Sequence, residues 1–310
     1  MFVLCLEFQG TAAIKVIFLD MSEIRELDLN RAAFSKMYNL RVLKFYNSER
    51  SYIGKSKVCL PPDLKSLPDA LRYLYWDGYP SKSLPQNFDP HNLVELEMPN
   101  SQVERLWHQV QVYMPKPCCT FHISCYFFVL WKKFIFLFNL LLQDLENLRK
   151  VNLHNSKNLI EMPDLSKSQN IESINLESCK SLVKVPSYFQ CLDKLTSLNL
   201  GGCSNLKHLP EISKNMEYLD LHRTDIEELP SSIWSMEKLV LLDLNFCKSL
   251  KSLPTSPCKL NSLQFLSLKG CFSLDKFPEL PRYIRDLRLS ETAIEVVSSS
   301  VESLSGIRLT

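Results

Sequence analysis

Apolar positions recur along the chain in a fixed unit, apolar-x-x-apolar-x-apolar, whose starting points predict the architecture before any single element is assigned. In the carboxyl-terminal half the unit begins at Leu148, Ile171, Leu195, Met216, Leu239, Leu263, Ile284 and Leu304, at spacings of 23, 24, 21, 23, 24, 21 and 20 residues. A near-constant period of this length predicts a solenoid, because one unit can bury its apolar face only against the next. The same unit starts at Leu40, Leu71 and Leu93, with the polar segment from Asn47 to Lys57 interrupting the first interval. About eleven units result, the last unfinished.

Each unit carries its own physical logic. In Leu195-Thr-Ser-Leu198-Asn-Leu200 the period-two part predicts a short strand, with Leu198 and Leu200 pointing inward and Asn199 outward. Three residues after the third apolar position stands Cys179, Cys203, Cys247 or Cys271, replaced in other units by Ser156, Thr224 or Thr292. That slot asks for a small side chain able to satisfy backbone groups where the chain leaves the strand. A Leu-Pro pair follows, as at Leu209-Pro210, Leu229-Pro230 and Leu253-Pro254, where proline ends the ladder and turns the chain onto the outer face. The predicted fold class is an α/β leucine-rich-repeat solenoid: a curved horseshoe with short parallel strands on the concave face and a mostly irregular or 3-10 convex face. The four slot cysteines share a phase, and those in neighbouring units are expected to stack roughly 5 Å apart, one strand spacing. Serine and threonine serve in the same slot, so cysteine there is expected to act as a small core residue, neither disulfide partner nor metal ligand.

Terminal units need caps. Residues 1–38 are expected to supply the first, with Ile14 to Leu19 as a buried strand and Asn30 to Met37 as a short helix capped by Asn30. Residues 39–111 and 144–310 form two blocks of repeats, the second stopping at Thr310 midway through a unit, as a piece of a longer protein would. Between Leu93 and Leu148 the interval is 55 residues, and joining Gln111 directly to Asp144 restores the period. The surplus, residues 112–143, contains no Gly, Ala, Asp, Glu or Arg. Lys132 and Lys133 split its apolar run into halves shorter than the about 20 residues a membrane helix needs. Cys118, Cys119, His122 and Cys125 lack the spacing of a closed zinc site. Its first residue, Val112, and its last, Gln143, are what an in-phase intron beginning GT and ending CAG encodes, and its Phe, Leu and Ile bias fits uracil-rich sequence. The expectation is a translated intron.

Composition removes several function classes. The 53 leucines against 7 glycines exclude collagen-like, glycine-linker and most dinucleotide-binding folds. With 36 basic and 34 acidic residues the net charge is +2, so no nucleic-acid footprint is visible. The first nine residues lack a basic n-region and carry Glu7 inside the apolar run, so the 11 cysteines are expected to be reduced thiols in the cytoplasm or nucleus. Gly54-Lys55-Ser56 matches only the end of a phosphate-binding loop, with Glu49 where its first glycine belongs. The 6 histidines form no H-E-x-x-H pair, and no G-x-S-x-G elbow occurs. His154 and His222, at equivalent outward positions, are expected to be solvated. No catalytic residue, cofactor or metal is expected.

Longer stretches carry a more specific resemblance: Gly10 to Ile14, Ile17 to Ser22, Ala33 to Leu43, Leu71 to Pro85, Asn92 to Pro99 with Val103 to Trp107, and Glu228 to Ile233. In these the chain resembles plant immune receptors of the Toll/interleukin-1-receptor-type nucleotide-binding leucine-rich-repeat class, at the junction into and along their repeats. The resemblance implies a signalling domain and a nucleotide switch preceding repeats that sense pathogen effectors and restrain the switch. Its implied partners are proteins: a pathogen effector, a guarded host protein, or the receptor's own nucleotide-binding domain, with neither nucleic acid nor membrane. The expected contact surface is the outward column Asn152, Asn175, Asn199, Asp220, Asp243, Ser267 and Arg288 with the apolar residues beside it. Tyr218, Asp220, Leu241, Asp243, Phe246, Phe265 and Arg288 are its candidate binding residues, because exposed aromatic groups beside charges are what interface anchors look like.

Overall fold

The computed structural model describes residues 10–48, 57–61, 64, 66–107, 145–254, 258–276, 284–294 and 308–309. Among them the period-two segments form the strands β1 (Val16–Asp20), β2 (Leu27–Asp28), β3 (Val42–Tyr46), β4 (Val58–Cys59), β5 (Tyr73–Trp76), β6 (Glu95–Glu97) and β7 (Lys150–Asn152). The series continues through β8 (Ser173–Asn175), β9 (Ser197–Asn199), β10 (Tyr218–Asp220), β11 (Leu241–Asp243), β12 (Phe265–Ser267), β13 (Asp286–Arg288) and β14 (Arg308–Leu309). Twelve of these pair in chain order into one parallel sheet, while β2 and β4 make a separate two-stranded sheet. The architecture is the predicted parallel-strand solenoid. No helix among the described residues is long and apolar enough to cross a membrane.

Strand register stacks the inward side chains into a continuous row. Leu43, Leu74, Leu96, Val151, Ile174, Leu198, Leu219, Leu242, Leu266 and Leu287 are mutual register partners along the sheet, each at most 1% exposed. Burying one such aliphatic side chain contributes about 1.5–3 kcal/mol, and here every contribution depends on the units on either side. The row crosses the long interval without interruption, since β6 pairs directly with β7 through Leu96 and Val151. The surplus segment 112–143 lies outside the described residues, as do Cys118, Cys119, His122, Cys125, Lys132, Lys133, Glu49 and the triplet from Gly54 to Ser56.

Where the chain leaves each strand, two backbone donors reach forward. Leu176, Leu200, Leu221 and Leu244 donate their N–H to the carbonyls of Asn199, Asp220, Asp243 and Ser267 in the following unit. Two residues later Ser178, Gly202, Arg223 and Phe246 donate to Gly201, His222, Asn245 and Lys269. Aiming that second N–H requires a left-handed backbone, and φ is positive at Gly78, Asn100, Asn155, Ser178, Gly202, Arg223, Phe246, Gly270 and Glu291. Glycine and asparagine take this conformation readily, whereas a bulky side chain is strained there by about 1 kcal/mol.

The next residue fills the predicted slot and works backward. Cys179, Cys203, Cys247 and Cys271 donate Sγ–H to the carbonyls of Leu153, Leu176, Leu221 and Leu244 in the preceding unit, at 3.1–3.2 Å. Ser156 does the same to Met98 at 3.2 Å, and Thr224 instead bonds Leu221 of its own turn at 2.8 Å. Burial pushes the Cys203 thiol up to about 12 and Cys247 up to about 11, so both remain protonated donors at neutral pH. Farther round the unit, Pro186 and Pro230, with φ of −63° and −62°, introduce 3-10 turns at Ser187–Cys191 and Ser231–Ser235 that bury Phe189, Ile233 and Trp234.

The amino-terminal segment corrects one expectation. β1 is present, with Ile17 and Leu19 buried, but residues 30–37 form successive turns in place of a helix. Ala33, Ser35 and Met37 donate to residues three positions back, and the Asn30 side chain accepts from the Ala32 N–H. Eight residues are too few to stabilise a free-standing helix, and turns suffice to press Ala33, Phe34 and Met37 into the core.

Three outcomes test this arrangement. Cys203→Ser should keep the fold, since a hydroxyl can donate to the same Leu176 carbonyl, at a cost of about 1–2 kcal/mol in urea unfolding. Leu198→Ala should cost about 2–5 kcal/mol. A chain joining residue 111 directly to residue 144 should fold with a higher soluble yield than the 310-residue chain; equal yield, or loss of folding on that deletion, would count against a translated intron.

Candidate functional site

The outward face of the sheet around β10 to β13 carries two parallel rows, set by the strand register. Tyr218, Leu241, Phe265 and Asp286 form one; Asp220, Asp243, Ser267 and Arg288 form the other. The structure thus brings together six of the seven candidate residues. Tyr218 is the most open of the first row at 48% exposure, while Leu241 and Phe265 are half-buried. The Arg288 guanidinium lies 4.9 Å from the centre of the Phe265 ring and is held by the Asp286 carboxylate at 3.2 Å. Phe246 stands apart: it occupies the left-handed exit turn beyond β11, at the rim of the sheet.

The second row has a structural task that sequence reasoning missed. The side-chain oxygens of Asn152, Asn175, Asn199, Asp220 and Asp243 accept the N–H two residues ahead, at 2.8–3.1 Å, closing an Asx turn at each strand exit. The recurrence of Asn or Asp two residues before His154, Glu177, Gly201, His222 and Asn245 was the available signal. Ser267 departs from the expected exposure. It is fully buried, its hydroxyl spent on Asn245 Oδ1.

Electrostatics concentrate where β9, β10 and β11 end. Burial holds the Asp243 carboxyl above the usual carboxylate range, with the Asp220 charge adding to the effect. Like His154, His222 is half-buried, which corrects the expectation of solvated side chains. Its Nδ1 lies 2.8 Å from Asp220 Oδ1, and this hydrogen bond, reinforced by the charges of Asp220, Asp243 and Glu177, raises its pKa above the ordinary value. The ring fits because residue 201 is glycine: a Cβ there would fall 2.1 Å from His222 Nδ1.

A further outward surface lies at the first units, which the column from Asn152 to Arg288 does not reach. Phe18, Lys44, Tyr75 and Glu97 are register neighbours across β1, β3, β5 and β6, with Val16 and Tyr73 beside them. Lys44 Nζ lies 5.0 Å and 5.3 Å from the Tyr75 and Tyr46 ring centres. The alternation Tyr73-Leu-Tyr75-Trp76 was the available signal. On the two-stranded sheet, Glu26, Asp28 and Cys59 lie together, and the hydrogen bond to Glu26 pushes the Cys59 thiol up to about 11.

Stacked parallel strands, an inward aliphatic row and a small-residue slot define a leucine-rich-repeat solenoid, and the family model described as Leucine Rich Repeat matches residues 92–111, the unit containing β6. By sequence the chain is related to plant disease-resistance proteins. It is 40% identical to the Arabidopsis thaliana disease resistance protein RPS4 over 295 residues, which are 92% of this chain and 23% of that protein. It is 37% identical to the disease resistance-like protein DSC1 of the same plant, across 90% of this chain and 22% of the relative. The chain therefore spans less than a quarter of the length of these relatives. A solved Leptospira interrogans leucine-rich-repeat protein is similar at 17% identity and a TM-score of 0.44, covering 96% of this chain and 72% of that one.

The His222 contact predicts a pH dependence. A raised folded-state pKa means that the stabilisation is full below the unfolded value near 6.5 and is lost as pH rises through the folded-state value. Asp220→Asn should lower the His222 pKa in an NMR titration and should reduce stability more at pH 6 than at pH 8. Equal losses at both pH values would contradict the assignment.

Proposed function

We propose that the chain is the recognition solenoid of an intracellular plant immune receptor of the Toll/interleukin-1-receptor-type nucleotide-binding class, binding a pathogen effector or a guarded host protein and performing no chemistry itself. One observation carries the reading: Tyr218, Leu241 and Phe265 line up on the outward side of the sheet, where the core does not require apolar groups. Their inward neighbours Leu219, Leu242 and Leu266 are fully buried and already fill the packing role. Large apolar groups on an outer face gain affinity when a partner covers them. The aspartates beside them set orientation toward a basic partner more than they set affinity. Relatedness to disease-resistance proteins supplies the biological setting.

The experiment identifies proteins crosslinked to the chain in plant cells, purifies one, and measures its affinity for variants of the chain. Phe265→Ala should weaken binding by about tenfold, the loss of roughly 1–2 kcal/mol typical of an anchor. Asp243→Asn should weaken it less, without unfolding, because the Asn side chain caps this same turn at Asn152, Asn175 and Asn199. Lys259→Ala, an exposed position away from the strands, should leave affinity within about twofold. If Lys259→Ala weakens binding while Phe265→Ala and Asp243→Asn do not, recognition runs through the outer face or the solenoid serves as a clamp on its own receptor.

A further inference from the structure

Five of the nine left-handed exit positions among the described residues are glycine or asparagine, and the β10 and β11 units carry the largest side chains among the rest. The left-handed position is glycine or asparagine at Gly78, Asn100, Asn155, Gly202 and Gly270, the residues that tolerate it. It is Ser178 and Glu291 in two separate units, and in two successive ones the larger Arg223 and Phe246, with φ of 54° and 57°. The ladder imposes the backbone conformation on every unit, so the anomaly lies in the side chains. Two neighbouring units carry bulky groups where small ones would be less strained, and both groups point to the same place.

There Arg223 Cζ lies 5.5 Å from the centre of the Phe246 ring, and Lys269 Nζ approaches the same ring at 5.9 Å. The ring is seated over Gly270, where a Cβ would fall 2.3 Å from Phe246 Cδ1. Glycine at 270 leaves the room the ring occupies. Around it opens a cavity of about 450 Å³ lined by Ser204, Arg223, Thr224, Asp225, Phe246 and Lys248, large enough for one or two side chains. Arg223 and Lys248 are exposed, and their cationic ends lie over the Phe246 and Phe272 rings, with no carboxylate within salt-bridge distance among the described residues. The one acid in the lining, Asp225, accepts a hydrogen bond from the Ser249 hydroxyl.

We infer that this rim pocket, beside the outward strand rows, docks an acidic peptide segment of a protein partner, with a carboxylate between Arg223 and Lys248 and an adjacent apolar side chain against Phe246. The guanidinium fork suits a carboxylate, and the aromatic wall selects a peptide over a bare anion. The inference rests on the reading of the chain as a protein-recognition solenoid and adds to it a second contact of opposite charge preference from the Asp220 and Asp243 row.

The test titrates the full 310-residue chain with the peptide acetyl-Gly-Asp-Phe-Glu-Gly-amide, its Asn/Gln counterpart, and inorganic phosphate, by calorimetry at low salt. The acidic peptide should bind about tenfold more tightly than its amide counterpart, and Arg223→Gln, Lys248→Gln and Phe246→Ala should each weaken it about threefold to tenfold. Arg223→Gly should weaken binding about as much as Arg223→Gln with no fall in Tm, since glycine suits the left-handed turn; this separates a lost contact from a damaged fold. Phe265→Ala should leave peptide affinity within twofold. The inference is overturned if the acidic peptide does not bind, if its amide form binds equally, or if Arg223→Gln and Lys248→Gln change nothing. Phosphate binding as tightly as the peptide would also overturn it, marking a general anion site. Should the rim variants have no effect while Phe265→Ala still weakens the protein partner, only this inference falls and the recognition reading stands.

Discussion

The forward hydrogen bond from each strand exit to the next unit is the constraint on which the rest of this solenoid depends. An inward leucine gains nothing unless its neighbours stay in register, and the paired donors at Leu176 and Ser178, Leu200 and Gly202, Leu221 and Arg223, and Leu244 and Phe246 hold that register. Each second donor needs a left-handed residue. That bend turns the chain away from the sheet and leaves room behind it for one small side chain, the cysteine, serine or threonine that bonds a carbonyl nearby. Thiol, hydroxyl and Asx oxygen thus settle the backbone groups that parallel pairing leaves open at the strand ends.

Because the ladder and the inward row specify the fold, the outward side chains are released from most structural duty, though not evenly. Tyr218, Leu241 and Phe265 carry no hydrogen bond that the turn requires. Asp220 and Asp243 do, since each closes an Asx turn. Charge at these two positions is a choice beyond the capping task, which asparagine performs elsewhere in the column. Its cost is visible in the raised Asp243 carboxyl, and the same charges raise His222 across the strand ends. The outward face thus combines apolar groups with no packing role and carboxylates retained where a neutral residue would serve.

Period, inward positions and slot were legible in the sequence because stacking repeats them: the spacing from Leu195 to Leu263 fixes which residues face the core before any contact is known. The direct pairing of β6 with β7 follows the same arithmetic. Other features were hidden because they depend on what a neighbouring unit does. The exposure of Ser267 is removed by Asn245, a residue of the previous turn. Phe246 reads as part of a strand motif until its left-handed φ moves it to the rim. The Asn30 segment has a helix-like start, but packing against the first units outweighs local propensity over so few residues. The left-handed ladder itself left a trace in the glycines and asparagines at 78, 100, 155, 202 and 270, obscured by Ser178, Arg223, Phe246 and Glu291 in the same series.

Amide hydrogen exchange resolved by residue tests the role of the ladder most directly. The account predicts that the N–H groups of Ser178, Gly202, Arg223 and Phe246, although they lie in turns at the edge of the sheet, exchange as slowly as those of Leu176, Leu200, Leu221 and Leu244. Exchange of the four turn amides at the rate of open loops, with the four leucine amides still protected, would contradict it and leave the inward leucines alone to hold the repeats in register.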